Sequence, residues 1–270
     1  MRRSESGFTL VELAIVLVII GLLVGGVLVG QDLIKSATIN AVISQIDRVD
    51  AGASTFRDKY GGLPGDLLST KATQFGLVAG TGAAGIGDGN GLVQNGATTA
   101  NLQGFGSETN VFWIHLGANG SALIPDKAGD TTDGYTVSTT GAASSAAASA
   151  WLAATRLRDN AFLHIYALNG RNYYFLGGIS AIAATTGIIS PALAITPVEA
   201  FNIDSKKDDG NGKTGTVIAT NDPTTNTVIS AGTGTATTEC FNATAGVYDT
   251  NPTYGATNLN CNLSIRPSGW

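Results

Sequence analysis

Apolar residues are distributed unevenly along the chain, and their spacing changes after about residue 30. Residues 8–30 read FTLVELAIVLVIIGLLVGGVLVG and contain one charged side chain, Glu12. An α-helix rises about 1.5 Å per residue, so a helix of this length crosses the apolar core of a bilayer. The pattern predicts that residues 8–30 form a membrane-spanning helix.

Beyond residue 30 the pattern becomes that of an amphipathic helix. Apolar side chains recur at alternating steps of three and four, which places them on one helix face. Gly61 and Gly62, with Pro64 just beyond, predict where this helix ends. We therefore predict one helix over about residues 8–60, whose second half, 31–60, packs under a globular head formed by 61–270. A free two-stranded coiled coil is the alternative for that second half. The stripe consists of Ile39, Val42, Ile46, Val49, Ala53, Phe56 and Tyr60.

The clearest strand signal in the head is a pair of β-prone runs, 162–168 and 171–176, separated by Asn169-Gly170. Asn-Gly between such runs favours a tight hairpin turn. A long helix followed by hairpins predicts an α+β fold in which the helix packs on an antiparallel sheet with loop insertions.

Several shorter elements are also predicted in the head. Thr196, Pro197 and Glu199 form a capping box with proline at the first helical position, which opens a short helix. Ser107 is a candidate cap for another short helix, and the alanine-rich segment 141–158 is a candidate helix. Two weaker strand candidates are 216–219 and 227–230.

The flanks of the apolar run favour one orientation in the membrane. Arg2 and Arg3 precede it, so the N-terminus is expected to stay in the cytoplasm and the remainder to cross outward. A secretory signal peptide fits badly, because the apolar stretch is too long and no small-x-small cleavage site follows it. Glu12 is costly inside a membrane helix and therefore marks a functional position.

Residues 7–13, GFTLVEL, resemble the processing motif of type IV prepilins and of type II secretion pseudopilins. The resemblance covers about the first 35 residues and includes the basic leader and the long apolar run. It implies that residues 1–7 are a leader, that a prepilin peptidase cuts between Gly7 and Phe8, and that the new Phe8 amine is methylated. It also implies a pilin-like fold and a Glu12 carboxylate that pairs with the Phe8 amine of a neighbouring subunit.

Four glycines in the apolar run form two G-x-x-x-G spacings, and small faces of this kind let membrane helices approach closely. Members of the resembled family often unwind near this position, and many carry a proline there that this chain lacks. Unwinding and ordinary close packing are both open from the sequence. The glycines are Gly21, Gly25, Gly26 and Gly30.

The resemblance implies a structural subunit of a type IV pilus or a secretion pseudopilus, and not an enzyme. Its partners would be other pilin or pseudopilin subunits, the prepilin peptidase and an assembly platform in the inner membrane. The head would lie in the periplasm before assembly and on a periplasmic or extracellular filament afterwards. The long head favours a minor subunit.

A filament-tip binding module, either an adhesin or a DNA-uptake subunit, is the alternative function. It would need a surface patch of aromatic and basic side chains. The net charge of −5 argues against nucleic acid as a partner, because phosphate binding relies on Lys and Arg. The only candidate patches are Trp151 with Arg156 and Arg158, and Arg171 with Tyr173 and Tyr174.

Cys240 and Cys261 are the only cysteines. If the head lies outside the cytoplasm they are expected to form a disulfide, and two free buried thiols are the alternative. His115 and His164 lie in apolar patterns without ligand-spaced partners, which indicates structural histidines. We find no catalytic constellation in the sequence.

No cofactor is expected, and calcium is the one weak candidate. Asp204, Asp208 and Asp209 could supply oxygen ligands, but two lysines lie among them and EF-hand spacing is absent, so a polar turn is the preferred interpretation. Residues 88–91, DGNG, resemble a calcium-loop fragment without its distal acid. Residues 212–214, GKT, lack the upstream glycine of a phosphate-binding loop.

Overall fold

The computed structural model has the predicted α+β layout, with one long N-terminal helix and a head built around an antiparallel sheet. It describes residues 9–77, 87–94, 108–117, 121, 123–124, 143–144, 152–182, 189–220, 240–242, 247–250 and 258–270.

Helix α1 spans Leu10–Tyr60 without interruption. Thr9 is its N-cap. Gly61 ends it in the left-handed conformation, with φ 73°, and donates its N–H to the Arg57 carbonyl. Glycine reaches this conformation without the steric cost of a Cβ, which explains why the helix stops where the sequence predicts.

The two halves of α1 differ completely in burial. The large apolar side chains of residues 10–29 are 50–86% exposed, whereas the stripe from Ile39 to Phe56 is at most 4% exposed. Tyr60 is partly buried against the same core. Because the head covers this stripe, a coiled coil through it is wrong for the second half of the helix.

The main sheet is antiparallel, and its central strands are β3 and β4. Their hairpin turns at Asn169 and Gly170, whose φ values are 51° and 72°, and it pairs Leu168 with Arg171 as predicted. Strand order along the sheet is β2-β3-β4-β9-β6, β1 and β5 pair with β4, and β7 pairs with β8 separately. The strands are β1 (Ala143–Ser144), β2 (Ala153–Ala154), β3 (Ala161–Leu168), β4 (Arg171–Ile182), β5 (Ile189–Ala192), β6 (Val217–Thr220), β7 (Phe241–Asn242), β8 (Val247–Tyr248) and β9 (Asn262–Ile265).

Three short helices complete the described part of the head. They are α2 (Ser69–Gln74), α3 (Glu108–Leu116) and α4 (Pro197–Lys207). The predicted capping box opens α4, because the Thr196 side chain accepts from the Glu199 N–H and the Glu199 carboxylate accepts from the Thr196 N–H. Ser107, the predicted cap of α3, lies outside the described residues.

The helix predicted for 141–158 is wrong where the structure describes that segment. Ala143–Ser144 pairs with β4, and Ala153–Ala154 pairs with β3. Hydrogen bonding to distant strands outweighs the local helix preference of alanine. The strand predicted at 216–219 appears as β6, and the one predicted at 227–230 lies outside the described residues.

Polar contacts fasten the second half of α1 to the head. The Asp50 carboxylate accepts from the Ser268 N–H at 2.9 Å and from the Ser268 hydroxyl, and the Tyr174 hydroxyl lies 3.5 Å away. On the neighbouring face, Lys207 of α4 forms an ion pair with Asp47 at 2.7 Å. These contacts fix the rotation of the helix against the sheet.

Cys240 and Cys261 form a disulfide, in agreement with the predicted pairing and not with two free thiols. Cys261 also forms a bridge with Ile195, directly before α4. The disulfide therefore ties the separate β7–β8 pair to the segment that enters β9.

Candidate functional site

The first half of α1 is the largest uncovered apolar surface in the described part of the chain. The head buries none of its most apolar stretch, and α1 is the one described helix long and apolar enough to cross a membrane. An exposed apolar surface of this size needs lipid or other protein chains to cover it. The first half of α1 is therefore the candidate functional site.

Glu12 closes a capping box with Thr9 at the start of this helix. The Thr9 N–H and hydroxyl donate to Glu12 Oε2 at 2.8 and 2.9 Å, and the Glu12 N–H donates to Thr9 Oγ1 at 3.3 Å. The Thr-x-x-Glu signature of a capping box is present at positions 9 and 12 of the sequence, and it was missed because Glu12 was interpreted only as the partner of a positive charge. Glu12 thus has a local structural role in addition to any role in assembly.

The capping box uses only one of the two oxygens of the Glu12 carboxylate. Both Thr9 donors contact Oε2, and no donor reaches Oε1 within the described residues. The carboxylate can therefore accept a further partner without giving up the cap.

The four glycines of the apolar run leave a shallow surface on α1. A Cβ placed on Gly21, Gly25, Gly26 or Gly30 would meet nothing within 4 Å, and the helix continues through all four. Single chains are therefore helical here, and the glycine face is free to receive another helix.

The predicted calcium candidate brings three carboxylates together at the end of α4. Ligand oxygens of Asp204, Asp208 and Asp209 lie within 4.8 Å of one another. Amide and hydroxyl groups already bind them: Asp204 accepts from the Tyr248 hydroxyl at 2.7 Å, and Asp209 accepts from the Thr214 hydroxyl at 2.6 Å. Burial raises the pKa of Asp204 to about 6. The carboxylates shape the turn after α4, which supports the polar-turn interpretation.

A second acidic group was missed from the sequence. Asp66, Asp88 and Glu108 meet within the same distance limit, although they lie far apart along the chain. Only Asp88 belongs to a sequence motif that was singled out above. Asp66 and Glu108 are distant in sequence and come close to it only in the folded chain. Burial raises the pKa of Asp66 to about 6 and that of Glu108 to about 8.

Backbone amides surround the two buried carboxylates of this group. Asp66 accepts from the N–H groups of Gly89, Asn90 and Gly91 at 2.7–3.2 Å. Glu108 accepts from two more amides, those of residues 87 and 94, each at 2.9 Å. The oxygens that a hard cation would use are thus engaged in holding the 87–94 loop.

Of the two surface patches predicted for a binding module, the one at Arg171, Tyr173 and Tyr174 does not form, and the one around Trp151 includes a residue outside the described part of the chain. Tyr173 and Tyr174 are only 4% and 0% exposed. Arg158 is bound to Glu199 at 2.8 Å and to the Ala194 carbonyl at 2.9 Å. Trp151 lies outside the described residues.

Both histidines are buried. His115 Nδ1 accepts from the Gly65 N–H at 3.0 Å, and its ring stacks on Phe56. Burial lowers the pKa of His164 to about 3, so that ring is neutral in the core. Both positions indicate a structural role.

Comparison with known proteins identifies the N-terminal segment. Residues 2–28 match the family model described as the prokaryotic N-terminal methylation motif. No curated protein and no solved structure shows significant similarity to the chain. The motif is the hallmark of the prepilin-type signal, and the match confirms the resemblance to prepilins that residues 7–13 show. It points to a pilin- or pseudopilin-like structural subunit with a membrane-anchoring N-terminal helix.

Proposed function

We propose that the chain is the precursor of a type IV filament subunit, either of a pilus or of a secretion pseudopilus, that polymerises through α1. One observation carries this proposal: the methylation motif lies on the half of α1 that the head leaves uncovered. Lipid covers that half before assembly, and copies of the same helix, or helices of related subunits, cover it in the filament.

The first step of this function is removal of the leader, residues 1–7. A prepilin peptidase hydrolyses the Gly7–Phe8 peptide bond, which frees the Phe8 amine, and this amine is then methylated. Both residues lie outside the described part of the structure. The new amine precedes the Thr9 cap and Glu12, so cleavage creates a positive charge beside the one carboxylate of the apolar segment.

The second step is the docking of one subunit against the next. Glu12 of one subunit accepts from the Phe8 amine of its neighbour, and Oε1 is the oxygen free to do so. An unpaired carboxylate in an apolar filament interior costs several kcal/mol. Only a correctly aligned neighbour removes that cost, so the pair sets the register of the α1 bundle.

The head, residues 61–270, then supplies the filament surface. We propose that it faces the periplasm in the membrane-anchored subunit and the outside of the filament after assembly. Its length favours a minor subunit, and the proposal requires no cofactor. The partners are other pilin-like subunits, the prepilin peptidase and the inner-membrane platform.

The processing step is tested by expressing the full chain with and without a prepilin peptidase and measuring the intact mass and the N-terminal sequence. We expect the peptidase to yield a chain that begins with N-methylated Phe8. Gly7→Val places a β-branched side chain at the scissile bond and is expected to abolish cleavage, whereas Ser4→Val, away from the bond, is expected to be cut. A chain that keeps Met1 in the presence of active peptidase would contradict the proposal.

A further inference from the structure

A cavity of about 300 Å³ opens where α1 ends. Its walls come from the last turn of α1, the segment that leads into α2, and the 87–91 loop. We call it the α1-end pocket. Its position at the opposite end of α1 from the methylation motif separates it from the polymerising segment.

Two basic side chains line the α1-end pocket without a carboxylate partner among the described residues. They are Arg57 and Lys71. The Lys71 ammonium has one contact, to the Gly61 carbonyl at 3.4 Å, and no ion pair involves the Arg57 guanidinium. Within the described residues, the pocket therefore offers two basic side chains that no ion pair engages.

Asp66 also lines the pocket, but its carboxylate lies beneath the pocket surface. The carboxylate is 1% exposed and binds the three loop amides described above. Those hydrogen bonds draw its oxygens toward the loop backbone. Arg57 and Lys71 are therefore the charged groups nearest the pocket surface, and their two positive charges outnumber the one carboxylate of the lining.

The remaining wall is apolar. Leu63, Leu67 and Leu68 contribute to it, and Leu68 is the exposed one of the three, at 41%. Gly61, Gly62, Gly89 and Gly91 also line the cavity and add no side chains to it. A hydrated inorganic anion would leave the leucines without a partner.

We propose that the α1-end pocket binds a small organic carboxylate with an apolar body. The Arg57 guanidinium matches a carboxylate in geometry, and Lys71 adds a second charge. The leucine wall receives the apolar body. The volume lies at the lower end of the range for small-molecule pockets, which limits the ligand to about the size of a single ring with its carboxylate.

The test measures binding of cyclohexanecarboxylate to the full chain in detergent micelles by titration calorimetry, at low salt to limit screening. Cyclohexanecarboxamide, which has the same shape and no charge, and inorganic phosphate are the comparison ligands. We expect saturable binding of the carboxylate with one site per chain, and affinities at least about tenfold weaker for the amide and for phosphate. Equal binding of the amide, or of phosphate, would overturn the proposal.

Matched variants locate the binding. Arg57→Gln and Lys71→Gln are each expected to weaken carboxylate binding about tenfold or more. Lys59→Gln removes a nearby charge that lies over the Tyr60 ring and is expected to leave binding unchanged. An equal loss in all three variants would show a general charge effect and contradict the assignment.

A second pair of variants distinguishes a loss of ligand binding from a loss of folding. Leu68→Asp places a negative charge on the apolar wall, and Leu68→Asn has the same shape without the charge. Because Leu68 is partly exposed, both chains are expected to fold, with thermal unfolding as the check. Carboxylate binding is expected to be weaker in the Asp variant than in the Asn variant, and equal binding by the two would overturn the proposal.

Discussion

The two halves of α1 form one continuous helix and yet belong to different environments. The second half buries its apolar stripe against the head and is fastened through Asp50 and Asp47. The first half has apolar side chains on every face, and the head touches none of them. The head thus folds against the second half alone, and the assembly proposed above would depend on a separate surface. Substitutions can therefore affect one without the other.

The largest expected difference between the halves is in the stability of the head. Phe56→Ala removes a fully buried ring that contacts Tyr60 and His115, so the free energy of unfolding should fall by about 3–5 kcal/mol. Leu17→Ala removes a side chain that is 70% exposed and should change that free energy by less than about 0.5 kcal/mol.

Denaturant unfolding of both variants in micelles, followed by tryptophan fluorescence, makes this measurement. Trp113 is buried in the head and Trp270 packs against the Phe112 ring, so both report on the head. Similar losses in the two variants would show that the two halves of α1 are energetically coupled.

A smaller effect concerns the pH dependence of head stability. Burial raises the pKa of Glu108 from 4.5 to about 8, so the folded state binds a proton more readily than the unfolded state does. Stability is therefore expected to decrease as the pH rises through the window from about 4.5 to about 8. Asp66 and Asp204, with pKa values raised to about 6, contribute with the same sign at the lower end of this window.

Unfolding of the wild type and of Glu108→Gln at several pH values between 5 and about 8.5 checks this expectation. The variant should show a weaker pH dependence, because it lacks the carboxylate with the most strongly raised pKa. Stability that rises with pH in the wild type would mean that the loop amides, which favour the charged form, outweigh burial.

The parts of the fold that follow from local pattern were predictable. The period of the stripe and the Gly61-Gly62 stop predicted α1, and Asn169-Gly170 predicted the central hairpin. The strands at 143–144 and 153–154 were not predictable, because alanine favours helix locally and only pairing with β3 and β4 reverses that preference.

The functional features also include some that the sequence predicts and some that only the folded structure reveals. Residues 7–13 carry the processing signal in consecutive positions, so the sequence alone was sufficient to recognise it. The joining of Asp66 to Glu108, and the cavity between Arg57 and Lys71, depend on loops that meet only after folding. The spacing of these residues along the sequence gives no sign that they come close in space.

In the proposed filament, the first half of α1 assembles through the charge of Glu12, and not merely through its cap. Glu12→Gln separates the two roles, because glutamine keeps the capping box and removes the charge. Thr9→Ala does the reverse: it removes the side-chain cap and keeps the carboxylate.

The most direct measurement is the filament yield of wild type, Glu12→Gln, Glu12→Ala and Thr9→Ala, each normalised to the amount of cleaved subunit in the membrane. The account predicts that both Glu12 variants are processed normally and assemble at least about tenfold less than wild type, in keeping with a lost charge pair. Thr9→Ala should retain most of its assembly. Filaments formed at the wild-type level by Glu12→Gln would contradict the account.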